Sequence, residues 1–155
     1  MTVRGFLPAG TRPWHEVDMV LIPCNIGHQH WLVASVYLIA EMIHILDPFR
    51  QEVPVSIRKR QVQPLRWFLL SMLNQFGFRD DWPPGREKFK RENRLFGVSL
   101  VSNTSLSQQQ QSSNCGAHTL RLIEYILADR IQYDWTEDDM PTIRETMAVE
   151  VFCNA

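Results

Sequence analysis

The strongest constraint on the fold is a nearly continuous apolar run at residues 31–46. A helix that crosses a bilayer needs roughly 20 apolar residues, and this run is shorter and is interrupted by Ser35, Glu41 and His44. Continuous apolarity alone is compatible with a helix or with strands, but the many β-branched and aromatic residues favour strands. We therefore predict two buried strands joined by a turn near residues 40–41.

Further elements are predicted on both sides of this hairpin. A short buried strand is expected at residues 17–22, ended by Pro23, and another strand at residues 96–101. Helical spacing of apolar residues predicts one helix from about residue 63 to residue 76, and a last helix from near Thr136 to about residue 151. The polar segment between Phe49 and residue 63 is interpreted as a connector.

The best-defined helix is predicted directly after Asn114. Asn is a good N-cap residue, and Leu120, Ile123, Ile126 and Leu127 form one apolar stripe. This prediction places Cys115 in the first turn of the helix.

The overall composition argues against several classes of protein. The chain has 155 residues, a length that predicts one domain. Sixteen Lys and Arg against 17 Asp and Glu leave a net charge of -1, so no basic field supports a nucleic-acid or membrane-surface role. Cys24, Cys115 and Cys153 contain no CxxC pair, which favours reduced thiols in the nucleus or cytoplasm.

Cys115 is a candidate nucleophile because of its place on the predicted helix. The positive end of the helix dipole and the unpaired N–H groups of the first turn both favour a thiolate over a thiol. The alternative is a buried structural cysteine, which is the more common role of a lone cysteine.

A cysteine nucleophile needs a base and a group that orients the base. His30 at the start of one predicted strand and Asp47 at the end of the next are placed to meet across an antiparallel hairpin. Gln109 precedes Cys115 by six residues, and its amide is a candidate donor to an oxyanion. The alternative for Gln109 is an ordinary glutamine in a polar loop that contains four of them.

These residues resemble the ubiquitin-like-protein-specific proteases, the SUMO/sentrin peptidase family of cysteine proteases. The similarity lies in His30-Trp31, in Asp47, and in the run from Gln109 to Gly116, which matches a Gln-x5-Cys-Gly pattern. Similar segments also occur at residues 17–23 and in the tail, at residues 137–141 with Arg144 and Met147 beyond them.

The resemblance implies an α+β cysteine-protease fold, with a mixed β-sheet flanked by helices and the nucleophile at a helix N-terminus. In this fold Cys115 would attack the carbonyl after a C-terminal Gly-Gly tail, His30 would act as base and then as acid, and Asp47 would orient the His30 ring. Gln109 and the N–H of Cys115 would form the oxyanion hole. Trp31 would cover the glycines of the substrate, and the alternative for Trp31 is an ordinary core residue.

Three positions depart from the family pattern. Asn114 stands where the family usually has Asp, and it removes a negative charge beside the thiolate while it can still cap the helix. Pro48 replaces a small polar residue after Asp47, and His118 stands where apolar residues are usual. His118 is therefore a possible competitor for the thiolate.

The family's catalytic domain normally has a further helical segment, with a second tryptophan, before the strand that precedes the histidine. Since the sequence begins at Met1 just ahead of that strand, we expect one N-terminally truncated catalytic domain over residues 1–155.

Two alternatives from other classes of function remain. Cys24, His28 and His30, completed by Cys115 or His118, form a candidate metal site, but Cys-x3-His-x-His is not an established zinc spacing. The second alternative is a catalytically impaired remnant of the protease fold that acts as a binding module. A protease relic derived from a mobile element also stays open. A pure binder, however, has no physical need for a nucleophile, a base, an orienting carboxylate and an oxyanion donor together.

The expected function is therefore hydrolysis of the peptide or isopeptide bond after the Gly-Gly tail of a SUMO-like modifier. Expected partners are SUMO-like or other ubiquitin-like modifiers and their conjugates, with no nucleic acid and no membrane, and the chain is expected to be a monomer. No cofactor is expected. Acetyl transfer, which distant relatives of the same clan perform, also stays open because it uses the same set of residues.

Overall fold

The fold was analysed in a computed structural model that describes residues 12, 14–49, 53–75, 95–101, 106, 112–130 and 132–153. The strands and helices, in chain order, are β1 (Met19–Ile26), β2 (His30–Tyr37), β3 (Met42–Leu46), α1 (Val55–Gln61), α2 (Gln63–Gln75), β4 (Gly97–Leu100), α3 (Cys115–Leu127) and α4 (Met140–Cys153). Short 3-10 turns precede β1, α3 and α4, at Trp14–Glu16, Ser112–Asn114 and Glu137–Asp139.

The four strands form one mixed sheet in the order β1-β2-β3-β4. The first three strands pair antiparallel, with Ile26 opposite His30 and Val33 opposite Leu46, and β4 pairs parallel to β3. This mixed sheet, with helices packed on it, confirms the predicted α+β class.

The predicted hairpin at residues 31–46 is confirmed as β2 and β3. The turn between the strands contains Glu41 with a φ of 49°, a left-handed conformation that a non-glycine residue seldom adopts. The Gly97 N–H donates to the Glu41 carbonyl over 2.8 Å, so β4 helps to hold this turn. The turn forms without Gly or Asn because the two strands and β4 fix its ends.

The prediction that the first strand ends at Pro23 is wrong. Strand β1 continues to Ile26, and Pro23 pairs with Val33 within the ladder. Because β1 is an edge strand, its residues can point their N–H groups away from the sheet, where proline's missing donor costs no ladder hydrogen bond.

Strand β2 is buried on both faces and separates two hydrophobic clusters. Leu32, Ala34 and Val36 face one cluster, which includes Leu69 and Leu73 of α2. Val33 faces the other cluster, which includes Leu122 and Tyr125 of α3 together with Trp135 and Met140. Helix α3 therefore packs against β2, a central strand of the sheet.

Helix α1 occupies part of the segment that was interpreted as a polar connector, so that interpretation is wrong for residues 55–61. The Ile57 and Arg58 N–H groups both donate to the Pro54 carbonyl and begin the helix. Arg58 is the one buried residue of α1. Helix α1 has only seven residues and its buried residue is basic, so no apolar stripe marks it in the sequence.

Helix α3 starts at Cys115 as predicted, but the predicted apolar stripe is not its buried face. The buried residues are Cys115, His118, Thr119, Leu122 and Tyr125. Leu120 and Leu127, by contrast, are exposed. The buried face combines Leu122 and Tyr125, which pack in the core, with His118, whose two ring nitrogens find partners inside the protein.

Candidate active site

His30 and Asp47 meet at the open end of the β2–β3 hairpin. His30 is the first residue of β2, and Asp47 directly follows the last residue of β3. The Nε2 atom of His30 lies 2.7 Å from Oδ1 of Asp47, and the carboxylate is almost fully buried. The two side chains therefore contact each other as the hairpin geometry predicted.

Two further groups hold the Asp47 carboxylate. The Phe49 N–H donates to Oδ1 over 2.9 Å, two residues along the chain, which is an Asx turn. The Nε of Arg58 lies 2.5 Å from Oδ2 as an ion pair, although its N–H direction is not that of a hydrogen bond. Burial raises the pKa of Asp47, but the hydrogen bonds from His30 and Phe49 and the Arg58 charge together lower it below its ordinary value.

The contact with Asp47 determines which nitrogen of His30 can accept a proton. A carboxylate only accepts hydrogen bonds, so the Nε2 of His30 carries the proton in the 2.7 Å contact. The neutral ring then has its lone pair on Nδ1. His30 is thereby prepared to receive a proton on the side of the ring opposite Asp47.

Cys115 lies at the same corner of the molecule. It is the first residue of α3, it is buried, and its thiol is free. The Cδ1 of Trp31 lies 3.8 Å from the point that a Cβ would occupy on Gly116. The residue after His30 therefore packs against the residue after Cys115, which places the start of β2 beside the start of α3.

Trp31 is not a core residue. Its side chain is 38% exposed, although the next two residues of β2, Leu32 and Val33, are fully buried. An exposed, flat ring beside Gly116 is compatible with the predicted role of covering an extended substrate, and it overturns the alternative that Trp31 is ordinary core.

Asn114 and His118 do not act as predicted. Asn114 precedes α3 but its side chain makes no capping hydrogen bond; it donates instead to Glu137. His118 is fully buried, with Nε2 3.1 Å from Glu137 and Nδ1 accepting from the Trp135 N–H over 3.2 Å. Both nitrogens of His118 are engaged, so it does not compete for the thiolate.

Gln109 lies outside the described residues, and its role in an oxyanion hole stays a prediction. Among the residues that the structure does describe, no group of three or more His, Cys, Asp and Glu side chains is arranged to hold a metal ion. In that same part of the chain, no helix is long and apolar enough to cross a membrane.

Two residues at the site were not singled out from the sequence. Arg58 belongs to a run of three basic residues with Lys59 and Arg60, and Glu137 belongs to a run of three acidic residues with Asp138 and Asp139. No local signal distinguishes the buried member of either run, because burial depends on which side of a short helix or turn faces the protein.

Comparison with known proteins agrees with this geometry. Residues 3–154 match the model of the Ulp1 protease family, C-terminal catalytic domain. No curated protein sequence matches the chain.

Three solved structures with a similar fold are distant from this chain in sequence. The C-terminal Ulp1 protease domain in complex with Smt3, the yeast ortholog of SUMO, superposes with a TM-score of 0.55 at 17% identity, covering 83% of this chain and 49% of that one. The Ulp1-like SUMO protease catalytic domain of Chaetomium thermophilum gives a TM-score of 0.53 at 18% identity, covering 87% and 46%.

A third structure, SUMO protease Ulp1 with its catalytic cysteine oxidized to a sulfenic acid, gives a TM-score of 0.52 at 16% identity, covering 86% of this chain and 52% of that one. The chain thus spans about half the length of the structures that it matches. These superpositions show the cysteine-protease fold, and the match over residues 3–154 shows that the chain belongs to the Ulp1 protease family.

Proposed function

We propose that this chain is a cysteine peptidase that hydrolyses the peptide or isopeptide bond after the C-terminal Gly-Gly of a SUMO-like modifier. The observation that carries the proposal is the 2.7 Å contact between His30 Nε2 and Asp47 Oδ1, at the corner where Trp31 packs against Gly116. The class of modifier is taken from the similar Ulp1 domain, which was solved in complex with Smt3, the yeast ortholog of SUMO.

In the first step, the Cys115 thiol transfers its proton to Nδ1 of His30. The sulfur attacks the carbonyl carbon after the second glycine, a C–S bond forms, and the π electrons of the carbonyl move to its oxygen. Asp47 accepts the Nε2–H and stabilises the imidazolium that forms. The hydrogen bonds from His30 and the Phe49 N–H, together with the charge of Arg58, lower the pKa of Asp47, so that this support is present at neutral pH.

The negative oxygen of the tetrahedral intermediate needs hydrogen-bond donors. The Cys115 N–H belongs to the first turn of α3, where N–H groups have no partner within the helix. This N–H and the side-chain amide of Gln109 are the proposed donors.

Collapse of the intermediate breaks the C–N bond and leaves a thioester on Cys115. The proton on Nδ1 of His30 passes to the departing amine, which is the main-chain or lysine nitrogen of the target. A water molecule then attacks the thioester while Nδ1 takes its proton, and the thiol leaves with that proton. The modifier is released as a carboxylic acid, which loses its proton to solvent, and the enzyme returns to its starting state.

Trp31 supplies selectivity for glycine in this proposal. Residues without side chains can be recognised by a passage too narrow for any other residue, and a flat indole ring can form one wall of it. The exposed ring beside Gly116 is suitably placed, next to the proposed nucleophile.

We further propose that residues 1–155 form one catalytic domain that works as a monomer, without a cofactor, in the nucleus or cytoplasm. The three free cysteines agree with a reducing compartment.

The proposal is tested with a panel of ubiquitin-like modifiers that carry a C-terminal electrophile. The purified chain is incubated with each modifier and the product is measured by intact mass. We expect a covalent adduct with a SUMO-like modifier that Cys115→Ala abolishes and that Cys153→Ala, at an exposed cysteine, leaves unchanged.

The absence of any adduct, in a chain shown by circular dichroism to be folded, would contradict the peptidase proposal. Binding of an unmodified modifier under the same conditions would then support a non-catalytic binding module.

A further inference from the structure

A buried polar network includes Asn114, the residue that precedes the proposed nucleophile. Glu137, in the 3-10 turn before α4, accepts hydrogen bonds with both carboxylate oxygens. Its Oε1 accepts from the side-chain amide of Asn114, and its Oε2 lies 3.1 Å from Nε2 of His118. Asn114, His118 and Glu137 are all buried, and Asn114 is the residue immediately before Cys115. The network therefore links α3 to the turn before α4 at the residue next to the thiol.

The direction of each hydrogen bond in this network follows from its outer partners. The indole N–H of Trp135 can only donate, and it reaches Nδ1 of His118 over 3.2 Å. The proton of His118 must then be on Nε2, where it is donated to Glu137. Burial lowers the pKa of His118 more than the contact with Glu137 raises it, which keeps the ring neutral.

The orientation of the Asn114 amide is determined on its other side. The Nη1 of Arg144 donates to Oδ1 of Asn114 over 3.2 Å. The amide nitrogen of Asn114 therefore points to Glu137. In each of these contacts a donor faces an acceptor, and Glu137 is the carboxylate of the network.

We propose that Asn114 and Glu137 are a matched amide–carboxylate pair that positions Cys115, and that the two members can exchange chemical roles. The proposal rests on the proposed function, because it assumes that the reactivity of Cys115 is what the pair serves. Neither side chain touches substrate in this scheme, so both are positioning residues. The amide and the carboxylate together hold the backbone that carries the thiol and the Cys115 N–H.

Each single exchange breaks the match in a different way. Asn114→Asp places two acceptors face to face and adds a negative charge beside Cys115, so the two carboxyl groups must share a proton. Glu137→Gln leaves an amide donor facing either the Asn114 amide or the Nε2–H of His118, and a buried donor without an acceptor is destabilising.

The double exchange restores the three hydrogen bonds of positions 114 and 137 described above. When Asn114→Asp is combined with Glu137→Gln, the new carboxylate at position 114 accepts from the new amide at position 137 and from Arg144. The oxygen of that new amide accepts from His118. The site again holds one carboxylate. The charged and titratable groups of the network and of the His30–Asp47 contact are then the same in kind as in the parent protein, namely His30, Asp47, His118, Arg144 and one carboxylate of the pair.

The experiment is a double-mutant cycle with two independent readouts on the full chain. The first readout is the thermal unfolding midpoint between about pH 5 and about pH 8. The second is the rate at which iodoacetamide alkylates Cys115 over the same pH range, followed by mass at that cysteine. A matched control combines Asn114→Asp with Asp138→Asn, which has the same net charge as the double exchange but removes the exposed neighbouring acid.

We expect each single variant to lower the unfolding midpoint by about 5 °C, and the double exchange to recover to within about 2 °C of the parent. In Asn114→Asp the deficit should grow as pH rises, because the shared proton is lost. Its alkylation rate near neutral pH should fall by about tenfold, with the profile moved to higher pH. The double exchange should restore that profile, and the Asp138→Asn control should not.

Additive effects of the two exchanges in both readouts would overturn the proposal. Recovery of the unfolding midpoint without recovery of the alkylation profile would also overturn it, because the pair would then stabilise the fold without positioning Cys115. Failure of the proposed function gives a different result: Cys115 of the parent would then alkylate no faster than a cysteine in an unfolded peptide, whatever the midpoints show.

Discussion

The Nε of Arg58 lies 2.5 Å from Oδ2 of Asp47, so the carboxylate that contacts His30 is held from behind by a buried cation. His30 and the Phe49 N–H use Oδ1, and the arginine occupies the other oxygen. These contacts fix the orientation of the Asp47 carboxylate and stabilise its ionised form. An arginine in this place comes from α1, a helix that carries no other buried residue.

Replacement of Arg58 by Met is expected to damage both stability and activity. Removal of one partner of a buried ion pair leaves an uncompensated charge and costs about 3–5 kcal/mol. Urea unfolding measures this loss, and hydrolysis of a modifier substrate should slow because Asp47 is no longer held. Lys59→Met, at an exposed position of the same helix, is the matched control and should change stability by less than about 0.5 kcal/mol. Equal effects at the two positions would show that the ion pair has no special importance.

Asp47 is expected to make the protein sensitive to acid. Its pKa is lower in the folded protein than its ordinary value of 3.8, so its contribution to stability is complete above that value and is lost as pH falls below it. Asp47→Asn should be less stable than the parent at neutral pH, and its free energy of unfolding should depend less on pH below about 4. Parallel stability profiles of the parent and the variant would contradict the expectation.

His118 is expected to titrate in a higher pH range. Burial lowers the pKa of His118 below 6.5, so the neutral ring stabilises the fold above that value, and the stabilisation is lost as pH falls from 6.5 through the folded pKa. In His118→Gln, thermal unfolding should therefore depend less on pH between about 5 and 6.5. The control is His28→Asn at an exposed position whose φ of 60° suits Asn, and its profile should follow the parent.

Trp31 is expected to act on the substrate and not on the thiol. Trp31→Ala should lower kcat/KM for a Gly-Gly substrate by about tenfold, the loss expected when one aromatic contact is removed from a bound peptide. Iodoacetamide has no peptide tail and should alkylate Cys115 at nearly the parent rate. Trp67→Ala, at an exposed tryptophan of α2, is the control for loss of an indole and should leave both rates unchanged. An equal loss of both rates in Trp31→Ala would assign it a structural role.

Local patterns were sufficient for the elements that carry the site. The residue types at 31–46 predicted the hairpin, and antiparallel pairing then predicted that His30 and Asp47 would meet, since both lie at its open end. Asn114 marked the start of α3 correctly. Its side chain, however, makes no capping hydrogen bond and donates to Glu137 instead.

Patterns failed where a polar residue is buried. The buried face of α3 contains His118 and Thr119, while Leu120 next to them is exposed, which reverses the usual preference for apolar burial. His118 is tolerated inside because Glu137 and Trp135, which lie 19 and 17 residues further along the chain, satisfy both of its nitrogens. A pattern within one helix contains no information about partners at that distance.

The same distinction separates the candidate nucleophile from the residues that support it. The place of Cys115 at a helix start follows from the N-cap residue before it and the apolar spacing after it, and the places of His30 and Asp47 follow from the strand-forming residue types between them. Arg58 is buried and Lys59 is exposed because Arg58 faces Asp47, and Glu137 is buried and Asp138 is exposed because Glu137 faces Asn114 and His118. The two members of each pair have the same charge and differ in the direction that their side chains face. That direction is set by contacts between segments that are distant in sequence, so it cannot be read from local patterns.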